Sequence, residues 1–378
     1  MAGTIGIAIG GMIALAAGMG LGRFLYTPVL PLMVETNGLG PAAAGMIAAA
    51  NFAGYLAGAL LASLPYIKGP PKAWLLGGLA VSAVSTGLMA AVDLWWLWAL
   101  LRLIAGLASA CVLIFASSLV TAHLTGAGRP GLTSVHYAGV GLGIALSAGL
   151  ASPWAVPGPD WPLIWVAAAL ATLLAFGLVA ALVPGRQAAP SNAAVPRLHW
   201  PPGLWRVVAA YGALGFGYIV TATFLVAILA ERGEGRAEGA LIWALVGLTA
   251  IPSIAAWRWV AGRIGTIRTF QAAMILEAIG VALSIGSGWG ASLAAAILLG
   301  STFMGLTALG FQEAAERSGG DSRAVMGVMT ASFGTGQMLG PLMAGWLREA
   351  TGSYAAPSLI AATVLLAGAA IVAPLARR

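Results

Sequence analysis

Twelve apolar stretches separated by short polar breaks constrain this 378-residue chain more than any other feature. They lie at about 5–33, 41–64, 72–91, 94–120, 130–153, 161–184, 203–230, 237–259, 268–288, 290–315, 323–347 and 354–375. Each is long enough to cross a hydrocarbon core that takes about 20 helical residues. The breaks carry turn chemistry, as in "NGLGP" at 37–41, "KGPPK" at 68–72, "PGPDWP" at 157–162 and "SGGDSR" at 318–323. The reading is an all-α integral membrane protein whose partner along its flanks is the lipid bilayer.

Charge supports this. Only 8% of residues are charged, against about 25% in an ordinary soluble domain. The net charge of +7 does not point to nucleic acid, because the basic residues stand singly in short loops and form no stripe. One cysteine, Cys111, excludes a disulfide framework and multi-cysteine metal sites. The first apolar run has no positive leader and is too long for a signal-peptide core, so it reads as a retained span.

The longest break, "PGRQAAPSNAAVPRLHWPP" at 184–202, has the Pro, Ala and Ser content of a flexible linker. It divides the chain into an N-terminal six-helix unit (1–184), a cytoplasmic linker (185–202) and a C-terminal six-helix unit (203–378). Assigning alternate loops to one side collects Lys68, Lys72, Arg129, Arg186, Arg197, Arg206, Arg258, Arg263, Arg268, Arg317, Arg323, Arg377 and Arg378. The other side holds Arg232, Arg236 and Arg348. The positive-inside rule then predicts both termini in the cytoplasm, with the chain in the cytoplasmic (inner) membrane. "GLGRFLY" at 20–26 can be laid on "ALGFGYI" at 213–219, an echo between the halves that suits two bundles rocking about a mid-membrane site.

The whole chain resembles the major facilitator superfamily. "GLGRFLYTPVLPLM" (20–33), "NFAGYLAGAL" (51–60), "GFGYIVTATFL" (215–225) and "GQMLGPLMAGWL" (336–347) resemble its YbfB/YjiJ-type branch. The resemblance implies twelve helices in two pseudo-symmetric six-helix bundles, a central cavity lined mainly by spans 1, 4, 7 and 10, and alternating access. "RLIAG" at 102–106 looks like the family's arginine motif, which has been linked to proton coupling. Gly336, Gly340, Pro341 and Gly345 resemble its glycine and proline motif. The loop after span 2, "GALLASLPYIKGPPK" at 58–72, lacks the acid of the family's gating motif, which puts the usual gate salt bridge in doubt.

Arg23 and Arg102 belong to neither loop set. Arg23 is twelve residues from Glu35, about 18 Å, and Arg102 nine from Asp93, about 13 Å, so both guanidinium groups reach similar depth. An arginine at a span's centre costs about 2.5–3.5 kcal/mol on insertion scales and normally faces a wet cavity or a partner. No Asp or Glu lies in the middle of spans 1–6. This surplus of positive charge suits an anionic ligand gripped by a bidentate guanidinium. The competing readings are snorkelling, bonding to helix carbonyls freed by Pro28 and Pro31, or a structural role for Arg102.

Tyr26 is three residues past Arg23, on its face, where it orients the guanidinium or touches solute. Asn51 and Tyr55, four apart in span 2, are solute contacts or interhelical glue. Tyr218 lies on a stripe with Gly215 and Tyr211, and Gln337 is polar midway along span 11. Candidate solute-binding residues are therefore Arg23, Tyr26, Arg102, Asn51, Tyr55, Tyr218 and Gln337. Candidate proton-coupling residues are Arg102, His136 and Glu277, the last being a carboxylate deep in an apolar span. Against Glu277 stands the peripheral position of span 9 that the resemblance implies, and against His136 simple core packing.

Other patterns carry no chemistry. "GAGRPG" at 126–131 matches the dinucleotide pattern but has no strand before it and contains Pro130. Gly139, Gly143, Ser147 and Ala151 recur every four residues, as close helix packing requires. No nucleophile triad, phosphate loop or metal-ligand cluster is legible, so no enzyme activity, cofactor or metal is expected. The expectation is a monomeric secondary active transporter moving a small organic anion by alternating access, with proton symport as the coupling. The alternative is an exporter of amphipathic drugs or sugars in which the arginines organise helices and the aromatic residues bind.

Overall fold

The computed structural model describes residues 3–62, 69–158, 160–185, 200, 202–318 and 322–376, with backbone only for 322–324. The described residues form twelve helical segments. They are α1 (Thr4–Asn37), α2 (Pro41–Ala62), α3 (Pro71–Ala91), α4 (Trp95–Gly126), α5 (Pro130–Ala151), α6 (Trp161–Leu182) and α7 (Leu204–Glu231). There follow α8 (Arg236–Ala250 and Ser253–Ile264), α9 (Thr266–Leu283), α10 (Trp289–Arg317), α11 (Ser322–Thr351) and α12 (Ala355–Leu375). Most of the 185–202 linker, and with it Arg186 and Arg197, lies outside the described residues, as do Lys68, Asp321, Arg377 and Arg378.

Ten of these segments are long and apolar enough to cross a bilayer alone. α8 makes an eleventh when its halves, bent by 46°, are taken together. The bend falls at Pro252, which has no N–H to continue the ladder. α11 is thirty residues long and less purely apolar, and it packs against both α2 and α7 while exposing Leu339 and Trp346. Its Ser332 donates to the Val208 carbonyl of α7, its Gly334 meets Leu56 of α2, and its Gly336 meets Gly212 of α7. The outward faces carry exposed Val84, Leu170, Leu174, Leu248 and Leu366. Large aliphatic side chains on the outside and polar ones within are what a lipid solvent selects.

The first six segments pack mainly through α2 with α4, α3 with α4 and α6, and α1 with α5. The last six pack through α7 with α12 and α9 with α10 and α12. The halves meet where α2 faces α11, α5 faces α8 and α1 faces α7. The small residues of α5 allow close approach on two faces, one to α1 within its own half and one to α8 of the other. Gly139 and Gly143 bring its backbone against Met12 and Ala16 of α1. On another face Gly141 lies on Gly247 of α8, and Ser147 accepts from the Trp243 indole at 3.0 Å.

Basic side chains at helix ends repeat across the halves. Lys72 at the start of α3 donates to the Ala180 carbonyl near the end of α6 at 2.7 Å. Arg268 at the start of α9 donates to the Ala376 carbonyl beyond α12 at 3.1 Å. In each half the third segment's cation thus satisfies carbonyls left free at the sixth segment's C-terminus. The two chain ends lie on one face, called here the terminal face, and the α1–α2 turn lies on the opposite, distal face. Among described side chains the terminal face carries Lys72, Arg129, Arg206, Arg258, Arg263, Arg268 and Arg317, and the distal face Arg232, Arg236 and Arg348.

Candidate functional site

α1 is buried without interruption from Ala14 to Leu30, because it runs between the halves. Within this stretch Ala16–Phe24 is a π-helix, flanked by α-helical Thr4–Leu15 and Tyr26–Asn37. The change of register falls at Leu25, just before Pro28, which has no N–H to offer the preceding turn. Such a changeover interrupts the carbonyl ladder, and the Arg23 carbonyl stands five residues before Pro28, where a π-type bond would need an N–H that proline lacks.

Arg102 fills that gap. It is 1% exposed on α4, and its Nη2 donates to the Arg23 carbonyl at 2.8 Å. The Arg102 carbonyl in turn accepts from Asn51 Nδ2 at 2.8 Å, which ties α2 to α4. The similar depths inferred from residue counting are thus met in direct contact. The Arg102 guanidinium sits 5.5 Å from the Trp165 ring. Its Nε and Nη1 have no partner.

Arg23 itself is 5% exposed. Its Nη2 donates to Gln337 Oε1 of α11 at 2.7 Å. Gln337 Nε2 donates onward to the Tyr218 hydroxyl of α7. Three residues singled out from sequence therefore form one chain across the two halves. The guanidinium also lies 4.2 Å from the Tyr55 ring and 4.6 Å from Phe52. Such contacts contribute about 2 kcal/mol or more each when desolvated. Arg23 Nε has no partner.

Tyr26 departs from one expectation. Its hydroxyl donates to the Ala44 carbonyl of α2 at 3.1 Å rather than orienting the Arg23 guanidinium. It still lines, with Arg23, Asn51, Phe52, Arg102 and Thr223, a central cavity of about 10 Å³. That is room for about one water.

No carboxylate pairs with either arginine among the described residues. The ion pairs there are Arg317 with Glu313 and Arg348 with Glu231, both at 2.6 Å and both near helix ends. Two guanidinium groups therefore sit in the interior with three donor nitrogens unsatisfied. An unmade hydrogen bond of this kind costs about 1–3 kcal/mol, and more for charged groups. An anion at this place would supply both the missing acceptors and the missing charge.

The proton-coupling candidates other than Arg102 make no hydrogen bond to this cluster, although Glu277 lies within electrostatic reach of Tyr218. Glu277 is fully buried on the α9 face that also carries Phe270, Met274 and Val281, and neither carboxyl oxygen has a partner. His136 is buried on α5 with Nε2 3.0 Å from Ser117 Oγ of α4 and its ring against Gly11 of α1. Sequence reasoning missed Phe52, Trp165 and Thr223. Phe52 and Tyr55 are three apart, a spacing that places both on one helical face, so Phe52 was within reach of the sequence.

The arrangement of two helical bundles has close structural parallels. The nucleoside transporter NupG superimposes with a TM-score of 0.72 at 15% identity, covering 98% of both chains. A bacterial homolog of the human lysosomal transporter Spinster, inward-facing and unoccupied, gives 0.74 at 14% identity, covering 98% of this chain and 96% of that one. At these identities the likeness shows the fold alone. No curated protein sequence matches. The family described as uncharacterised MFS-type transporter YbfB matches residues 15–373, nearly the whole chain. With that match and the major facilitator fold, this integral membrane protein belongs to the YbfB branch of the major facilitator superfamily of transporters.

Proposed function

We propose that this transporter moves a small organic anion by alternating access, with Arg23 and Arg102 gripping its negative group. The observation that carries the reading is the pair of buried guanidinium groups with free donors and no carboxylate partner among the described residues. Asn51, Tyr55, Tyr218 and Gln337 surround the grip, and Tyr26 walls it. The surplus of cations on the terminal face supports cytoplasmic termini in the inner membrane. On that orientation the distal face looks away from the cytoplasm. The two bundles, 1–184 and 203–378, rock about the site as one chain, joined by the 185–202 linker. A proton carried by Glu277 couples the movement, with Arg102 contributing a fixed charge and His136 the less favoured carrier.

One observation favours the alternative of amphipathic or sugar-like cargo. Tyr218 lies nearly parallel to Phe303 and Phe333, with centroids 5.6 and 5.8 Å away, a platform for flat apolar surfaces. Uptake into proteoliposomes separates the two. Arg23→Gln and Arg102→Gln, tested singly against a panel of small carboxylates and phosphonates, are expected to abolish anion uptake. Unchanged uptake in both variants overturns the anion reading.

A further inference from the structure

We propose that Arg236 and Glu349 form a two-part latch that holds the distal face shut, each charge acting on a helix end of the opposite bundle. The inference rests on the alternating-access fold and not on the charge of the solute.

Arg236 is the first residue of α8. Its Nε donates to the Ala151 carbonyl, at the end of α5, at 2.7 Å, and its Nη2 to the Ser152 carbonyl at 3.4 Å. Its Nη1 donates to the Gly158 carbonyl in the turn that follows. The last carbonyls of a helix have no intrahelical partner and carry its negative pole, so a cationic fork satisfies both needs. Glu349 lies near the end of α11, and its Oε2 accepts from Ala42 N at 3.1 Å. Ala42 is the second residue of α2, after a proline that has no N–H, so this is the first donor at the helix's positive pole. In both contacts the sign of the charge matches the helix end it meets.

Two comparisons single these residues out. Lys72, Arg206, Arg232 and Arg268 also donate to carbonyls near the ends of other helices, but each stays within its own half. Among the described residues, the other hydrogen bonds between halves lie deeper. They are Arg23 to Gln337, Thr27 to the Ala222 carbonyl, and Trp243 to Ser147. Packing between the halves is loose beneath Arg236, whereas beneath Glu349 the glycines Gly45 and Gly345 seat α2 closely on α11. A cavity of about 230 Å³ separates Pro28, Pro31 and Glu35 of α1 from Val226 and Ala230 of α7, and Arg236 lines it. Neither Glu35 nor Glu234 on its wall forms an ion pair with Arg236. The Arg236 fork thus acts where apolar contact is incomplete, and Glu349 fixes the end of the close α2–α11 contact.

The test places spin labels at Asn37→Cys and Ser353→Cys, exposed distal positions on opposite halves, in a Cys111→Ser background. Pulsed electron-resonance distances are measured on the full chain in lipid nanodiscs. Arg236→Gln and Glu349→Gln are each expected to enlarge the long-distance population about threefold to tenfold. Arg236→Lys, which keeps the charge and loses the fork, is expected to fall between. Arg232→Gln, which removes a helix-end contact inside one half, is expected to leave the distances unchanged. The proposal is overturned if both glutamine variants match the parent, or if Arg232→Gln widens the distances as much as Arg236→Gln does.

Discussion

Arg23 Nη2 donates to Gln337 Oε1 at 2.7 Å, and the bond joins helices that are 314 residues apart in sequence. The amide oxygen occupies a place that a carboxylate would take with greater strength. Gln337→Glu therefore installs a fixed countercharge where the solute's own charge belongs. Anion affinity is expected to fall at least about tenfold, the scale of one charge-assisted hydrogen bond. The melting temperature of the solute-free protein is expected not to fall, because the guanidinium gains a charged partner. Thermal-shift titration of parent and variant against the same carboxylate checks both outcomes.

Arg102 has two tasks that substitution separates. It satisfies the Arg23 carbonyl at the π-to-α changeover, and it adds the second positive charge. Arg102→Gln shortens the reach and strands that carbonyl, costing about 1–3 kcal/mol in stability, and it removes the charge. Arg102→Lys keeps the charge but not the fork. Both variants are expected to melt lower than the parent, while only the glutamine variant loses anion binding entirely. Paired melting curves and solute titrations distinguish them.

The sequence conveyed the spans, the two intramembrane arginines and the helical spacing that sets Asn51 beside Tyr55, because each is local. The π segment was not legible: "AAGMGLGRF" differs little from ordinary small-residue membrane helix, and the wider turn follows from what α1 packs against. The partnership of Arg23 with Gln337 was also hidden, since polarity at Gln337 said only that some partner exists. Arg236 read as one of three distal loop cations. Its role at the end of α5 emerges only when two distant helix ends are brought together. Glu349, beside Arg348 near the end of span 11, gave no signal at all for the same reason.

Glu277 and His136 differ in how they are held, and that predicts different roles. The Glu277 carboxyl has no partner in a fully buried setting, so its uncharged form is the one the site accommodates and a proton must enter or leave with its charge. His136 is fixed by Ser117 Oγ at 3.0 Å and packs on Gly11, as a structural side chain does. Glu277→Gln is expected to abolish accumulation driven by an imposed pH gradient while leaving solute counterflow intact. His136→Asn is expected to preserve gradient-driven accumulation. Both are measured in proteoliposomes with and without the gradient. Gradient-driven accumulation that survives Glu277→Gln removes this carboxyl from the coupling.

Two glycines of α5 give opposite expectations for the same substitution. A Cβ on Gly143 would stand 2.7 Å from the Cα atoms of both Ala16 and Gly20, and backbone cannot rotate aside as a side chain can. Gly143→Ala must therefore push α1 away at its π segment, only three residues before Arg23. Overpacking of this kind costs about 1–3 kcal/mol, and the displaced segment carries the Arg23 guanidinium off Gln337. Lower melting temperature and weaker anion binding are expected together. Gly149, on the same helix, is exposed and has open space where its Cβ would lie. Gly149→Ala is expected to leave binding unchanged and to raise stability by about 0.5–1 kcal/mol through helix propensity alone. If the two variants behave alike, close approach of α1 and α5 is not what positions Arg23.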